Sequence, residues 1–293
     1  MAGEFDFIHW IQRQQQADGN VILPAGDDMA VLRWSSADLL LVAVDQVIDG
    51  VHFDSAIHSP RQIGRKVMNR NLSDCAAMAC LPAGAVACVA LPRGCGHEYA
   101  QALYLGMREA GDAFDCAIVG GDTGSWPGKL VASVTIFGRS AGIEPIKRSG
   151  ARAGDWIYVT GALGGSILGR HMDFVPRIAL ARALAQAHRL TAMIDISDGL
   201  SRDLAHICRA SGVGADLQSD RIPIHDDAWT LAVKDGRPAL QHALHDGEDH
   251  ELCFTSPDAI TMPGIVRIGQ TTAQREIRLD GQSLPAAAWE HTL

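Results

Sequence analysis

Thr191-Ala192-Met193-Ile194-Asp195-Ile196-Ser197-Asp198-Gly199-Leu200 opens as an apolar strand, turns through two carboxylates and a hydroxyl, and enters a helix expected to run to about Ser211. A strand that hands its last residues to a helix start is the repeating unit of a sheet covered by helices. Backbone N–H groups at such a junction attract phosphate, while Asp195 and Asp198 attract cations. The same residues also read as a plain capping motif, because a capping aspartate needs no metal.

Three other stretches share this character. Gly26-Asp27-Asp28 follows Pro24-Ala25, Asn71-Leu72-Ser73-Asp74 lies late in a predicted helix, and Gly120-Gly121-Asp122-Thr123 follows the apolar run 116–119. Each puts a carboxylate beside a glycine or hydroxyl residue at or near an element end. Carboxylates gathered in that way hold hard divalent cations through oxygen, and such cations most often serve phosphate chemistry. Singly, each has a plainer reading. Asp27-Asp28 is a polar turn, Asp45 closes the apolar strand 39–44 as a turn residue, and Gly120-Gly121 is a tight turn. Asp74 is an N-cap or solvent-facing residue. Against these readings, an unpaired carboxylate beside Ala76-Ala77-Met78 would be costly to bury, and paired glycines let a ligand approach the backbone.

Around these motifs the pattern is sheet plus helices. An amphipathic helix is expected over 5–11. Pro60 opens a second helix running to about Met78, with Ile63, Val67 and Cys75 on an apolar stripe and Asn71 and Asp74 on another face. Strands are expected at 83–91, 130–138, 156–160, 252–254 and 266–268, and helices at 98–111 and 176–187. The turn-rich Ser149-Gly150-Ala151-Arg152-Ala153-Gly154-Asp155 marks the domain boundary, giving domains 1–148 and 149–293.

Composition narrows the function. The chain has 293 residues, 47% hydrophobic, enough for one or two buried cores. Mean hydropathy is +0.05, and no apolar run approaches a membrane span. The N-terminus lacks a basic start and an apolar segment, so no secretory signal and no membrane partner are expected. Seven cysteines without a Cys-x-x-Cys pair argue against a disulfide framework or zinc ribbon and for the cytoplasm. A net charge of −9 disfavours nucleic acid. An anionic substrate is compatible with it only if metals or arginines neutralise that substrate. Gly161-Ala162-Leu163-Gly164-Gly165-Ser166 lacks the dinucleotide spacing. The lysine-bearing phosphate loop, His-Glu-x-x-His and Gly-x-Ser-x-Gly are absent. Phosphate would be handled by metals and arginines.

Taken in order the motifs form a series. Gly3-Glu4-Phe5, Gly26-Asp27-Asp28, Asp45 with Gly50-Val51-His52-Phe53, Asn71-Leu72-Ser73-Asp74 and Gly120-Gly121-Asp122-Thr123 are followed by Arg148-Ser149-Gly150-Ala151, Asp195-Ile196-Ser197-Asp198-Gly199-Leu200 and Gly247-Glu248-Asp249-His250-Glu251-Leu252. This series resembles the thiamine-monophosphate kinase family, within the superfamily of aminoimidazole ribonucleotide synthetase and selenophosphate synthetase, over nearly the whole chain. The resemblance implies an α/β, two-domain aminoimidazole ribonucleotide synthetase-like fold, each domain a sheet covered by helices. It implies a homodimer joined through the N-terminal sheets, and ATP with several Mg²⁺ ions in a groove around them. By the same likeness Asp28, Asp45, Asp74, Asp122 and Asp195 hold magnesium, with Asp198 near a further ion. Gly121, Asp122, Arg148 and Ser197 meet ATP, while His52, Glu248 and Trp289 meet thiamine monophosphate.

The implied reaction is ATP-dependent phosphorylation of thiamine monophosphate to thiamine diphosphate. The acceptor phosphate is ionised near neutral pH, so no catalytic side chain is implied. The chain departs from the family in three places: Ala43-Val44 precede Asp45 where hydroxyl residues are common, His250 replaces a common tyrosine, and the stretch between Gly164 and Pro176 is short. Two rival readings are a superfamily enzyme acting on another acceptor and a non-catalytic nucleotide-binding regulatory or maturation protein. A selenide acceptor would want a reactive cysteine near the N-terminus, whereas the first is Cys75. Loss of catalysis fits poorly with a retained acidic set, since metal ligands without a metal repel one another.

Overall fold

A computed structural model describes residues 21–23, 26–35 and 38–285. The helix expected over 5–11 and the motif Gly3-Glu4-Phe5 lie outside the described residues. Among the described residues are two mixed sheets and six α-helices, as the α/β reading anticipates.

The first sheet contains β1 (Val21–Leu23), β2 (Ala30–Arg33), β3 (Leu39–Ile48), β4 (Leu81–Pro92), β5 (Ile118–Trp126) and β6 (Val131–Arg139). Its order is β1-β2-β3-β6-β4-β5, with β4 and β5 parallel and the other pairs antiparallel. Helices α1 (Pro60–Ala77) and α2 (His97–Asp112) pack together beside it. Two glycines allow that close packing: a Cβ on Gly64 would lie 2.1 Å from the Leu103 carbonyl oxygen, and one on Gly106 would lie 2.0 Å from that of Arg61. Ser59 and Gln62 form a reciprocal capping box at the start of α1, ahead of Pro60.

Two expectations about strand ends need correction. Asp45 does not close its strand, because β3 continues to Ile48. Nor do Gly120-Gly121-Asp122-Thr123 follow a strand as a turn, because β5 runs through them. Pairing decides both outcomes. β3 keeps its ladder with β6 through Ile48, and β5 keeps its parallel ladder with β4 through Trp126. Gly121 is explained by the sheet itself: a Cβ there would lie 2.0 Å from the Ala87 carbonyl oxygen.

The second sheet contains β7 (Trp156–Val159), β8 (Ala192–Asp195), β9 (Gly214–Leu217), β10 (Leu252–Ser256), β11 (Val266–Thr272), β12 (Ile277–Leu279) and β13 (Gln282–Ser283), in the order β13-β12-β9-β11-β7-β10-β8. Helices α3 (Ile178–Ala187), α4 (Leu200–Ser211), α5 (Asp226–Asp235) and α6 (Ala239–His245) accompany it. Side chains alternate across a strand, so the central strands serve two cores. Tyr158, Met193, Leu252 and Phe254 join the core that contains Ile63, Val67 and Leu72 of α1. Ile157, Val159, Ile194 and Cys253 join a second core with Leu204 and Ile207 of α4. No described helix is long and apolar enough to cross a membrane.

Candidate active site

Helix α1 is buried on two sides. Ile63, Val67 and Cys75 face the first core, as the apolar spacing predicts. Lys66, Asn69, Arg70 and Ser73 recur at the helical period, and all four reach the C-terminal half. Lys66 Nζ donates to Glu248 Oε2 at 2.8 Å, and Asn69 donates to the Phe174 carbonyl at 2.8 Å. Arg70 Nη1 donates to Glu248 Oε1 at 2.9 Å, and the Ser73 hydroxyl donates to Asp195 Oδ2 at 2.5 Å. The residue-by-residue reading missed Lys66 and Arg70; their signal was this polar spacing opposite the apolar stripe. Asn71 is fully buried, where its Oδ1 accepts the Asp45 N–H at 3.1 Å and its amide donates to the Val67 carbonyl.

Asp28, Asp74 and Asp195 come from the approach to β2, from α1 and from the end of β8. Each offers a carboxylate oxygen, and those oxygens lie within 4.8 Å of one another. Arg148 grips Asp28 with both arms, Nε to Oδ2 at 3.1 Å and Nη2 to Oδ1 at 2.9 Å, while its backbone N–H donates to Asp27. Burial pushes Asp28 up to about 7 even so. Burial and then the charges of Asp45, Asp195 and Asp28 hold Asp74 well above the usual carboxylate range. Burial would raise Asp195 too, but hydrogen bonds from His250 and Ser73 outweigh it and keep this carboxyl low.

The other residues singled out lie around this cluster. Asp45 accepts from Arg70 Nε at 3.1 Å. Asp122 is exposed on β5, opposite Cys88 of β4, and belongs to neither acidic group. Asp198 joins Asp203 and His206 in a second group spanning no more than 4.8 Å. In the motif expected to cap α4, the cap position itself falls on a glycine. Gly199 stands at the cap, and Asp203 reaches back from the first turn to accept the Asp198 and Gly199 N–H groups at 3.0 and 3.1 Å. The Ser197 carbonyl accepts the Glu248 N–H. His52 accepts the Ile48 N–H at Nδ1, and its carbonyl accepts from Lys66. Trp289 lies outside the described residues.

Gly247-Glu248-Asp249-His250-Glu251 works as an alternating brace. Glu248 turns to α1 and His250 to Asp195, at 3.4 Å, with its ring stacked on Phe174. Asp249 and Glu251 turn the other way, to Gly164 with Arg170 and to Thr160 with Arg177. Glu248 and His250 hold φ near +52° and +50°. Such strain persists only where surrounding contacts over-determine the backbone. Burial would raise Glu248, but Lys66 and Arg70 carry it down to about 2; burial takes Lys66 down to about 8.

Asp249 provides a test by pH. Burial pushes it from 3.8 to about 7 against its contacts with Gly164 and Arg170. Between those values the folded chain binds more protons than the unfolded chain. The stability from this group is therefore fully present below about pH 4 and is lost as pH rises through about 7. Asp249→Asn should flatten that fall, seen as a smaller change in the denaturant midpoint between pH 5 and pH 8. Equal changes in variant and wild type would contradict it.

A hard-oxygen cluster beside an arginine fork suits phosphate chemistry, and the comparisons with known proteins agree. Residues 26–140 match the AIR synthase related protein, N-terminal domain, and residues 152–237 its C-terminal domain. A thiamine-monophosphate kinase of Rhodopirellula baltica is 42% identical, covering 86% of this chain and 81% of its own. One from Salmonella typhimurium is 36% identical, covering 92% and 87%. The solved structure of AaThiL complexed with AMPPCP and TMP superposes with a TM-score of 0.89 at 28% identity, covering 99% of this chain and 97% of that one. The chain therefore belongs to the thiamine-monophosphate kinase family, on the AIR synthase related fold.

Proposed function

We propose that this protein transfers the γ-phosphoryl group of ATP directly to the phosphate of thiamine monophosphate, giving thiamine diphosphate and ADP. The observation that carries the reading is the convergence of Asp28, Asp74 and Asp195 from three separate elements, with Arg148 at their edge. Family membership and the likeness to a structure holding an ATP analogue and TMP support it further.

Both reactants are anions, so repulsion between them is the first obstacle. The donor set fits Mg²⁺: its oxygens are hard, and two of the three crowded carboxylates, Asp28 and Asp74, are pushed toward their protonated forms until a cation offsets their charge. Asp28, Asp74 and Asp195 would hold magnesium, with Asp45, Asp122 and Asp198 as further ligands. When bound, the ions neutralise phosphate oxygens and stabilise charge during transfer. Gly121, Asp122, Arg148 and Ser197 would hold the nucleotide. Arg148, now forked on Asp28, can fork on phosphate oxygens in the same way. His52, Glu248 and Trp289 would hold the acceptor.

The working unit in this reading is a homodimer, supported by β5, an edge strand whose side chains are exposed from Val119 to Trp126. Seven free cysteines favour the reducing cytoplasm, and the net charge of −9 argues against nucleic acid. Measuring ADP formation with and without thiamine monophosphate tests the function. ADP release should depend on the acceptor and match thiamine diphosphate one for one. ADP formed at an equal rate without it would favour another acceptor or simple hydrolysis.

A further inference from the structure

We infer that Lys66 is a positioning residue that holds the two acceptor-side residues, His52 and Glu248, in register across the two halves of the chain. The inference rests on the acceptor assignment proposed above.

Lys66 has 0% of its side chain exposed, so it cannot itself be a surface contact for a ligand. Its ammonium instead joins two segments distant in sequence. Nζ donates to the His52 carbonyl at 2.6 Å and to Glu248 Oε2 at 2.8 Å. Burying an ammonium is costly unless it is paired and hydrogen-bonded, so its place marks a constraint the fold maintains. Arg70 takes the other oxygen of Glu248 at 2.9 Å, and the two cations leave the carboxylate no freedom to swing. The backbone is held as firmly. Glu248 keeps a positive φ and donates its N–H to the Ser197 carbonyl at 2.7 Å, beside the Asp195 and Asp198 carboxylates.

Helix α1 sets the scale. Asp74 lies eight residues beyond Lys66, about 12 Å along the axis at about 1.5 Å per residue. One helix thus carries a metal-side carboxylate at one level and the acceptor-side lysine two turns away. Thiamine monophosphate carries its phosphate at one end and its aminopyrimidine at the other, with the cationic thiazolium between them, and so would extend from one level toward the other. Lys66 would fix where the ring end sits when the phosphate reaches the metal side.

The test is Lys66→Met, which keeps the length and removes the charge. The expected result is a KM for thiamine monophosphate raised at least tenfold. The KM for ATP and kcat at saturation should stay within about twofold. Lys66→Arg, which keeps a buried donor, should recover part of the loss. If Lys66→Met does not fold, Lys66→Met/Glu248→Gln takes its place, since it leaves neither of those two charges unpaired. Its KM for thiamine monophosphate should exceed that of Glu248→Gln alone, because the His52 carbonyl has then lost its donor as well. An unchanged KM for thiamine monophosphate in Lys66→Met, equal rises for both substrates, or a double variant no worse than Glu248→Gln would overturn the role. Glu248→Gln separates the two levels of the argument. If it leaves the KM for thiamine monophosphate unchanged, the acceptor assignment itself fails. If it raises that KM and Lys66→Met does not, only the role of Lys66 fails.

Discussion

Asp74→Asn should fold, resist heat in metal-free buffer at least as well as the wild type, and lose about two to three orders of magnitude in kcat. The reason is the company this carboxylate keeps. It is half-buried and faces Asp45, Asp195 and Asp28, with Arg70 as the opposing charge. An amide has nearly the same shape and carries no charge, so the substitution relieves repulsion in the metal-free protein. In turnover the same change removes a preorganised charge next to the transferring group, an effect of about 10²–10³ in rate. Activity at saturating Mg²⁺ and a melting curve in EDTA together check it. Near wild-type kcat would show that Asp74 is not part of the machinery, and a large drop in melting temperature would show that it is structural.

Stripping divalent cations should abolish thiamine diphosphate formation, and Mg²⁺ or Mn²⁺ should restore it, because the proposed ligands are all hard oxygens. The metal should also stabilise the fold. At a free concentration 100 times its Kd, a ligand that binds only the folded state adds about 2.7 kcal/mol. The sign of the pH dependence follows from the carboxyls. Asp28 titrates near 7 and Asp74 is raised, so a cation entering near neutral pH must displace protons. Apparent affinity should rise with pH through about 7, and calorimetric heats should vary with the ionisation enthalpy of the buffer. Full turnover after exhaustive chelation, or heats independent of buffer, would remove the metal from the proposal.

The fold was legible where apolar pattern and punctuation agree. The run 39–44, the helix opening at Pro60 and the strand-to-helix junction around Asp195 announce themselves through side-chain period and turn residues. Strand ends were less legible. Asp45 and Gly120-Gly121 look like stops because carboxylates and glycines usually break strands. In β3 and β5 the neighbouring strand supplies a continuous ladder that overrides that preference.

The candidate site divides in the same way. Asp28, Asp74 and Asp195 stand out through their glycine and hydroxyl neighbours, and the fold brings them together. Asp122 stands out equally, yet in one chain it lies exposed on an edge strand, away from either acidic group. Lys66 and Arg70 escaped notice because cations on a helix normally read as a solvated face. Only the arrival of Glu248, 182 residues after Lys66, turns that face inward. Long-range pairing of this kind leaves no local trace beyond the four-residue rhythm of α1. His250 stood out only as the replacement for a common tyrosine, and its partner stayed hidden for another reason. Its contact with Asp195 is made from a positive φ, a conformation uncommon at any residue other than glycine.

Helix α1 packs against both halves at once, so dividing the chain between them would cost each side buried partners. A cut near residue 148 would leave one fragment with Lys66 and Arg70 lacking their acid, and the other with Glu248 lacking its bases. Tyr158, Phe254 and Leu252 would lose the α1 side chains of their core and keep only those of α3 and its neighbours. Heating should melt both sheets in one cooperative step, with no stage at which nucleotide-side structure outlives acceptor-side structure.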